Sequence, residues 1–142
     1  MKKEKSCGAV IYCIRDNSIY YLLSKMGLGH ISLSKGHVEE NETEVDTAKR
    51  EIFEETSLRL AIDTKFRKVI NYCPFVGISK DVVFFVAKSD ESSVPIDKHD
   101  KEVTGFLWLK EEDAISKLTY ESDKEVLREA SQYIERKEYG KF

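Results

Sequence analysis

The sequence predicts an α/β fold in which a mixed β-sheet is sandwiched between α-helices. Segments rich in β-branched and aromatic residues alternate with segments of helical period. One main helix follows an opening hairpin and the other ends the chain, an order typical of an α/β/α sandwich. We expect residues 1–142 to form a single domain, because the length suits one core and no repeat or linker interrupts it.

The opening segments are predicted as a β-hairpin. Residues 6–14 (SCGAVIYCI) and 19–24 (IYYLLS) have strand composition, and Asp16-Asn17 between them supplies turn residues. The glycine-containing segment 25–35 is predicted as a loop that leads into an acidic stretch.

A helix is predicted over residues 43–56. Thr43 and Asp46 stand at capping-box spacing, with Asp46 approximating the usual Glu or Gln. Val45, Ala48 and Ile52 follow at i, i+3 and i+7. We therefore expect these three side chains to face the core.

The second half of the chain is predicted to supply three more strands and two more helices. The strands are residues 66–72, 82–87 and 105–109, with loops over 73–81 and 88–103. A short helix is predicted over 110–118. A longer amphipathic helix is predicted over 122–138, with Ser122 and Glu125 as a capping box.

Three glutamates crowd one edge of the first predicted helix. Glu51, Glu54 and Glu55 lie at i, i+3 and i+4, and like charges at this spacing cost roughly a few tenths of a kcal/mol per pair. Arg50 is spaced to pair with Glu54, but one guanidinium does not neutralise three acids. A hard divalent cation would, and an oxygen-only ligand set favours Mg²⁺ or Mn²⁺. The plainer alternative is a solvated acidic helix face.

The residues around this edge stand in a fixed spacing. Gly36 is followed after five residues by Glu42, and after seven more by residues 50–58 (REIFEETSL). This stretch resembles the Nudix box, G-x5-E-x7-R-E-U-x-E-E-x-G-U with U apolar. It differs at Ser57, where the family has a glycine that would form a left-handed helix cap.

The resemblance implies the Nudix fold and a metal-dependent hydrolase of the MutT-like class. A cation, Mg²⁺ with Mn²⁺ as a substitute, would activate a water and neutralise phosphate charge. The implied catalytic residues are Glu51, Glu54 and Glu55, with Arg50 and Glu42 in support. The implied metal ligands are the same three glutamates and the carbonyl of Gly36.

A second resemblance concerns the substrate. Residues 34–39 (SKGHVE) are similar to the P-K-G-H-x-E segment of the asymmetrical diadenosine tetraphosphate hydrolases. The resemblance implies cleavage of a dinucleoside tetraphosphate into a mononucleotide and a triphosphate. It implies substrate contacts by Lys35, His37, Lys80 and Phe84, and a catalytic contribution from Glu102. Tyr72 is a candidate to stack on a base, with packing in or at the rim of the core as the alternative.

Departures at Ile31, Ser34 and Asn41 leave other substrates open. A 5′ RNA pyrophosphohydrolase or a nucleoside triphosphate pyrophosphatase would use the same metal site. From a different class of protein, the alternative is a nucleotide-sensing module that binds without turnover.

The composition of the chain restricts the binding partners and the cellular location that we expect. A net charge of -3 argues against broad binding to DNA, which requires a basic face. The sequence has no apolar run long enough to predict a membrane span. Its basic N-terminus leads into a predicted strand and not into the apolar region of a signal peptide, so we expect a cytoplasmic protein. Three cysteines without C-x-x-C spacing, Cys7, Cys13 and Cys73, are predicted to be buried free thiols.

Overall fold

The computed structural model describes residues 1–90, 92–94 and 102–140, in which seven strands and three helices form. In chain order these are β1 (Lys2–Arg15), β2 (Ser18–Met26), β3 (Ile31–Ser32), β4 (Ser34–His37), α1 (Glu44–Thr56), β5 (Ile62–Phe75), β6 (Ile78–Lys88), β7 (Val103–Leu109), α2 (Glu111–Lys117) and α3 (Glu121–Tyr139). The order confirms the predicted alternation of strands and helices.

The strands form one mixed sheet. Its main path is β3-β2-β1-β6-β5, with β4 paired to β1 and β7 to β2. Within this described sheet β1 and β6 run parallel, from the pair Lys2 and Ile78 to the pair Tyr12 and Lys88, and the other pairings are antiparallel. β1 therefore lies at the centre and contacts three other strands.

Alternate residues of β1 belong to two separate hydrophobic cores, one on each face of the sheet. Tyr12 belongs to a buried cluster with Leu127 and Ile134 of α3. Its neighbour Ile11 belongs to the cluster on the opposite face, with Ile52 of α1. Because successive side chains of a strand point to opposite faces, α1 and α3 lie on opposite sides. The predicted α/β/α sandwich is confirmed.

The first helix forms as predicted. Thr43 caps it, accepting from the Asp46 backbone N–H at 3.1 Å while the Asp46 carboxylate accepts from the Thr43 N–H at 3.2 Å. Ala48 and Ile52 are buried, and Val45 is partly buried against the same cluster. The helix ends at Ser57, whose φ of 64° is the left-handed conformation that glycine adopts without steric cost.

Three local predictions were wrong. The segment predicted as a loop over 25–35 contains β3 and the start of β4. The predicted loop over 73–81 is mostly strand, because β5 lies at the sheet edge, where Pro74 is tolerated, and only Val76 and Gly77 separate β5 from β6. The long helix starts at Glu121 with Tyr120 as its N-cap, so Ser122 and Glu125 do not form a capping box.

Other predictions are only partly covered by the described structure. Half of the predicted loop over 88–103, residues 91 and 95–101, lies outside the described residues. All three cysteines are free, with Cys7 and Cys13 buried as expected, whereas Cys73 is exposed because it lies on the edge strand β5. In the described part of the chain, no helix has the length and apolar character needed to cross a membrane.

Candidate active site

The backbone of Gly36 lies directly against the carboxylate of Glu51. β4 positions Gly36 by pairing it with Cys7 of β1, and α1 brings Glu51 up to it. A Cβ atom at Gly36 would overlap the Glu51 carboxylate. This close approach requires glycine and places a backbone segment beside an acid of the helix edge.

Arg50 joins the loop before α1 to this acidic edge. Its Nε donates to Glu42 Oε2 at 2.7 Å and its Nη2 donates to Glu42 Oε1 at 3.0 Å. Nη2 also donates to the His37 carbonyl at 2.8 Å, and Nη1 donates to Glu51 at 2.9 Å and to Glu54 at 3.2 Å. One guanidinium therefore orients two of the candidate metal-binding carboxylates.

Glu42 accepts hydrogen bonds from three residues. Besides Arg50, it accepts from the Glu39 backbone N–H at 2.9 Å and from the Thr47 hydroxyl at 2.8 Å. The hydrogen bonds from Arg50, assisted by these two donors, lower the pKa of Glu42 to about 2. Glu42 is thus a structural anion that holds Arg50, in keeping with the supporting role predicted for it.

The three predicted metal ligands differ in exposure. The Glu54 side chain is half-exposed, the Glu51 side chain is mostly buried, and Glu55 is buried. As placed among the described residues, no three His, Cys, Asp or Glu side chains converge as a metal-binding group. The available donors are all oxygens, including the backbone of Gly36, and this chemistry fits a hard divalent cation.

A cavity of about 520 Å³ opens beside Gly36. It brings together five residues predicted for the site, Lys35, Gly36, His37, Lys80 and Glu102, and is also lined by Ser6, Met26, Gly27, Leu28 and His30. Burial, reinforced by the nearby charge of Lys35, lowers the pKa of Lys80. Two amines close enough to repel each other make this cavity suited to an anion such as a polyphosphate.

A second cavity, of about 390 Å³, shares His30 and Lys35 with the first. Its wall includes the predicted residue Tyr72 and two residues that the sequence did not indicate, Tyr120 and Asp123. The remaining lining residues are Ser32, Ile70 and Ser122. Tyr72 and Tyr120 are about half-exposed, and the His30 and Tyr120 ring centroids lie 5.7 Å apart. These aromatic surfaces suit a planar ring.

One predicted substrate contact is wrong. Phe84 has no exposed surface and belongs to the buried cluster beneath α3. β6 is an interior strand of the sheet, so side chains on both of its faces are covered. Phe84 is therefore a core residue, and its ring cannot reach a bound nucleotide.

Known proteins resemble this chain over most of its length. A family model described as NUDIX domain matches residues 7–130. The chain is 30% identical to asymmetrical bis(5′-nucleosyl)-tetraphosphatase of Sus scrofa over 141 residues, covering 92% of this chain and 95% of the relative. It is 31% identical to Nudix hydrolase 10 of Arabidopsis thaliana over 119 residues, covering 82% of this chain and 41% of that relative. The crystal structure of a C. elegans Ap4A hydrolase binary complex superposes with a TM-score of 0.82 at 28% identity, covering 92% of this chain and 97% of that one.

Proposed function

The chain belongs to the NUDIX domain family, and on that premise we propose that it hydrolyses a phosphoanhydride bond of a nucleoside polyphosphate. The proposed substrate is diadenosine tetraphosphate, cut asymmetrically to ATP and AMP. The tetraphosphatase from Sus scrofa and the C. elegans Ap4A hydrolase, which cover nearly the whole chain, support this choice. The observation that carries it is the cavity in which Lys35, His37 and Lys80 meet the Gly36 backbone beside Glu51.

The reaction requires a divalent cation, for which we propose Mg²⁺, with Mn²⁺ able to substitute. Glu51, Glu54, Glu55 and the Gly36 carbonyl would hold it. When bound, the cation would neutralise phosphate charge and lower the pKa of a coordinated water. The all-oxygen donor set supports the proposal, because such ligands suit hard cations.

The remaining residues have proposed roles in binding and orientation. Lys35 and Lys80 would bind the phosphate chain, and His37, which lines the same cavity, would contact it or orient the loop. Arg50 would keep Glu51 and Glu54 in position through the hydrogen bonds it already donates to them. Glu102 also lines the cavity and is our candidate to accept a proton from water.

Tyr72 is the proposed contact for a nucleobase. It lines the second cavity, which shares His30 and Lys35 with the cavity for the phosphates. A nucleotide could therefore extend from one cavity into the other. We further propose that the binding partner is a small nucleotide. We also propose the cytoplasm as the location, because its reducing conditions keep thiols free, as the three cysteines are here.

One assay tests the reaction. The protein is incubated with Mg²⁺ and, separately, with diadenosine tetraphosphate, nucleoside triphosphates and a 5′-triphosphorylated RNA oligonucleotide, and the products are resolved by ion-exchange chromatography. We expect equal amounts of ATP and AMP from the dinucleotide. Faster cleavage of the RNA or of a triphosphate would favour the alternative hydrolases, and no product from any substrate would overturn the enzyme proposal.

The same assay tests the site. Glu54→Gln and Glu55→Gln should each lower the rate by at least roughly a hundredfold if their carboxylates bind the cation. Glu112→Gln, on the exposed side of α2, is the control and should leave the rate unchanged. Full activity in both test variants would contradict the assignment of the helix edge.

A further inference from the structure

Glu102, the proposed proton acceptor, lies immediately before β7 and lines the cavity that also includes Lys35 and Lys80. The residue is exposed. Packing fixes an exposed side chain less than a buried one, so the position of the carboxylate depends on the backbone that carries it. The contacts of that backbone therefore bear on where the carboxylate lies.

Gly27 binds the backbone of Glu102 directly. Its N–H donates to the Glu102 carbonyl at 2.7 Å. The regular pairing of β2 with β7 ends at Met26 and Val103, which are the preceding and the following residue. The hydrogen bond from Gly27 thus extends the strand pairing by one step, and this step includes Glu102.

The direction of the Gly27 N–H is fixed by a tight turn. The Gly29 N–H donates to the Met26 carbonyl at 2.9 Å, which makes Gly27 and Leu28 the two central residues of a β-turn. The Met26 N–H also donates to the His30 carbonyl at 2.9 Å, so the turn is closed by a second hydrogen bond. The donor is therefore in place before a substrate binds.

A β-bulge determines the face of the sheet on which Glu102 lies. The pairing of β2 with β7 shifts by one residue between Lys25 and Met26, which makes Thr104 the extra residue of β7. The Thr104 hydroxyl donates to the Lys25 carbonyl at 3.3 Å and holds the bulge. Strict alternation would place Glu102 on the same face as Trp108, whereas the extra residue turns it to the opposite face.

The opposite face is the one that carries Lys80. Lys80 is two residues from Val82, and Val82 belongs to the buried cluster beneath α3. Trp108 packs against the other cluster, beneath α1. The bulge and the hydrogen bond from Gly27 are therefore consistent with the observed place of Glu102, in one cavity with Lys80.

We propose that Gly27 and Thr104 are positioning residues, which act together to keep the Glu102 carboxylate in the cavity that binds the phosphate chain. Gly27 acts through its N–H and Thr104 through the bulge. This inference rests on the proposed function, in which Glu102 accepts a proton from water. It adds the part of the chain that holds this acid in place.

The first test removes the donor of Gly27. Proline suits the first central position of a β-turn, but it has no N–H and its ring would displace the Glu102 carbonyl. Gly27→Ala is the matched control, because it keeps the N–H and its Cβ would lie 3.5 Å from that carbonyl, an ordinary contact. With diadenosine tetraphosphate and Mg²⁺, Gly27→Pro should lower kcat by about tenfold or more and change KM by less than about twofold. Gly27→Ala should keep both constants.

A double-mutant cycle distinguishes positioning from a general loss of structure. If Gly27 acts through Glu102, Gly27→Pro should lower kcat by less than about twofold in a protein that already carries Glu102→Gln. A further loss of about tenfold in that protein would overturn the proposal. A wild-type kcat in Gly27→Pro or in Glu102→Gln alone would also overturn it.

Thr104 offers a second pair of variants, which decides if Gly27→Pro does not fold. Thr104→Val keeps the shape of the side chain but removes the hydroxyl that holds the bulge, and it should lower kcat by about threefold. Thr104→Ser keeps the hydroxyl and should retain the wild-type kcat. Equal kcat values in these two variants would contradict the positioning of Glu102.

A binding measurement separates this inference from the proposed function. Inorganic tripolyphosphate is titrated into the full chain by isothermal titration calorimetry, with no divalent cation present. Because a carboxylate in the cavity repels this anion, Glu102→Gln and Gly27→Pro should each bind it about threefold more tightly than the wild-type protein. Gly27→Ala should bind it as the wild type does.

The two measurements give distinguishable outcomes. A protein that shows this pattern of binding but hydrolyses no nucleotide would refute the enzyme proposal and keep the positioning of Glu102. A protein that cleaves diadenosine tetraphosphate but shows neither the binding pattern nor the loss of kcat would do the reverse. Absence of both tripolyphosphate binding and hydrolysis would overturn both proposals.

Discussion

Arg50 binds both carboxylate oxygens of Glu42, through Nε at 2.7 Å and Nη2 at 3.0 Å. The paired geometry matches the planar fork of a guanidinium, which an ammonium group cannot reproduce. Because the same group also contacts His37, Glu51 and Glu54, the pair fixes the loop before α1 against the acidic edge. Both stability and activity should depend on it.

We predict that Arg50→Lys lowers the free energy of unfolding by about 2 kcal/mol and the rate of hydrolysis by at least about tenfold, since several charge-assisted hydrogen bonds are lost together. Urea unfolding and the nucleotide assay measure the two effects. Arg67→Lys is the matched control, because Arg67 binds both oxygens of Glu44, at 2.9 and 2.8 Å, and Glu44 is not one of the candidate metal-binding acids. It should reduce stability and leave the rate nearly unchanged; a similar loss of rate in both variants would contradict the role of Arg50.

The Glu42 carboxylate should contribute to acid sensitivity. Its pKa is about 2 in the folded protein against an ordinary value of 4.5, so its contribution to stability is complete above pH 4.5 and is lost as the pH falls towards 2. In Glu42→Gln the free energy of unfolding should fall less steeply over this range. Urea titrations at several pH values measure the slope.

Part of the wild-type slope will remain in Glu42→Gln, because hydrogen bonds from Arg67 and Lys5 also lower the pKa of Glu44 to about 2. Glu40→Gln, at an exposed position of the same loop, is the control and should keep the wild-type slope. An unchanged slope in Glu42→Gln would show that this pair does not govern acid unfolding.

Gly36→Ala should reduce hydrolysis by roughly a hundredfold, because the added Cβ would displace the Glu51 carboxylate from the Gly36 backbone. Gly105→Ala is the control, since among the described residues its Cβ would meet only the Lys25 side chain, at 3.4 Å. Rates are compared together with thermal unfolding of each variant. Wild-type activity in Gly36→Ala would mean that this close contact is not part of the catalytic arrangement.

Ser57→Gly should raise the free energy of unfolding by about 1 kcal/mol, because glycine adopts the left-handed φ of 64° without a Cβ penalty. Ser57→Ala removes the same hydroxyl but keeps the Cβ, so it should show no such gain. Chemical denaturation of the three proteins measures the difference. Equal stability of the two variants would argue against backbone strain at this cap.

Periodic and local features of the fold were predictable. The spacing of Ala48 and Ile52 identified the buried face of α1, and Thr43 identified its start, because both depend on residues close in sequence. The same spacing placed Arg50 beside Glu54. The hydrogen bonds from Arg50 to Glu42 and His37 depend on how the preceding loop folds back, which helical spacing does not encode.

Features assembled from distant segments were not predictable. The second cavity combines His30, Tyr72 and Asp123 from three parts of the chain, and an acid in the first turn of a helix is common without any ligand. The wrong prediction of a substrate contact for Phe84 has a different cause. The continuous apolar run of β6 is typical of a strand buried on both faces, so the sequence itself indicated a core position. At that position the family resemblance implies a substrate contact, whereas the local pattern indicates a buried side chain.

The parallel pairing of β1 with β6 has a consequence for synthesis of the chain. β1 leaves the ribosome first, but its partner strand follows only after β2, α1 and β5. Until β6 is synthesised, the apolar side chains of β1, such as Ile11 and Tyr12, lack the β6 side chains that share their buried clusters in the folded protein. Contacts between segments that are distant in sequence form slowly, and apolar surface stays exposed until they form. We therefore expect nascent chains that end before β6 to depend on chaperones.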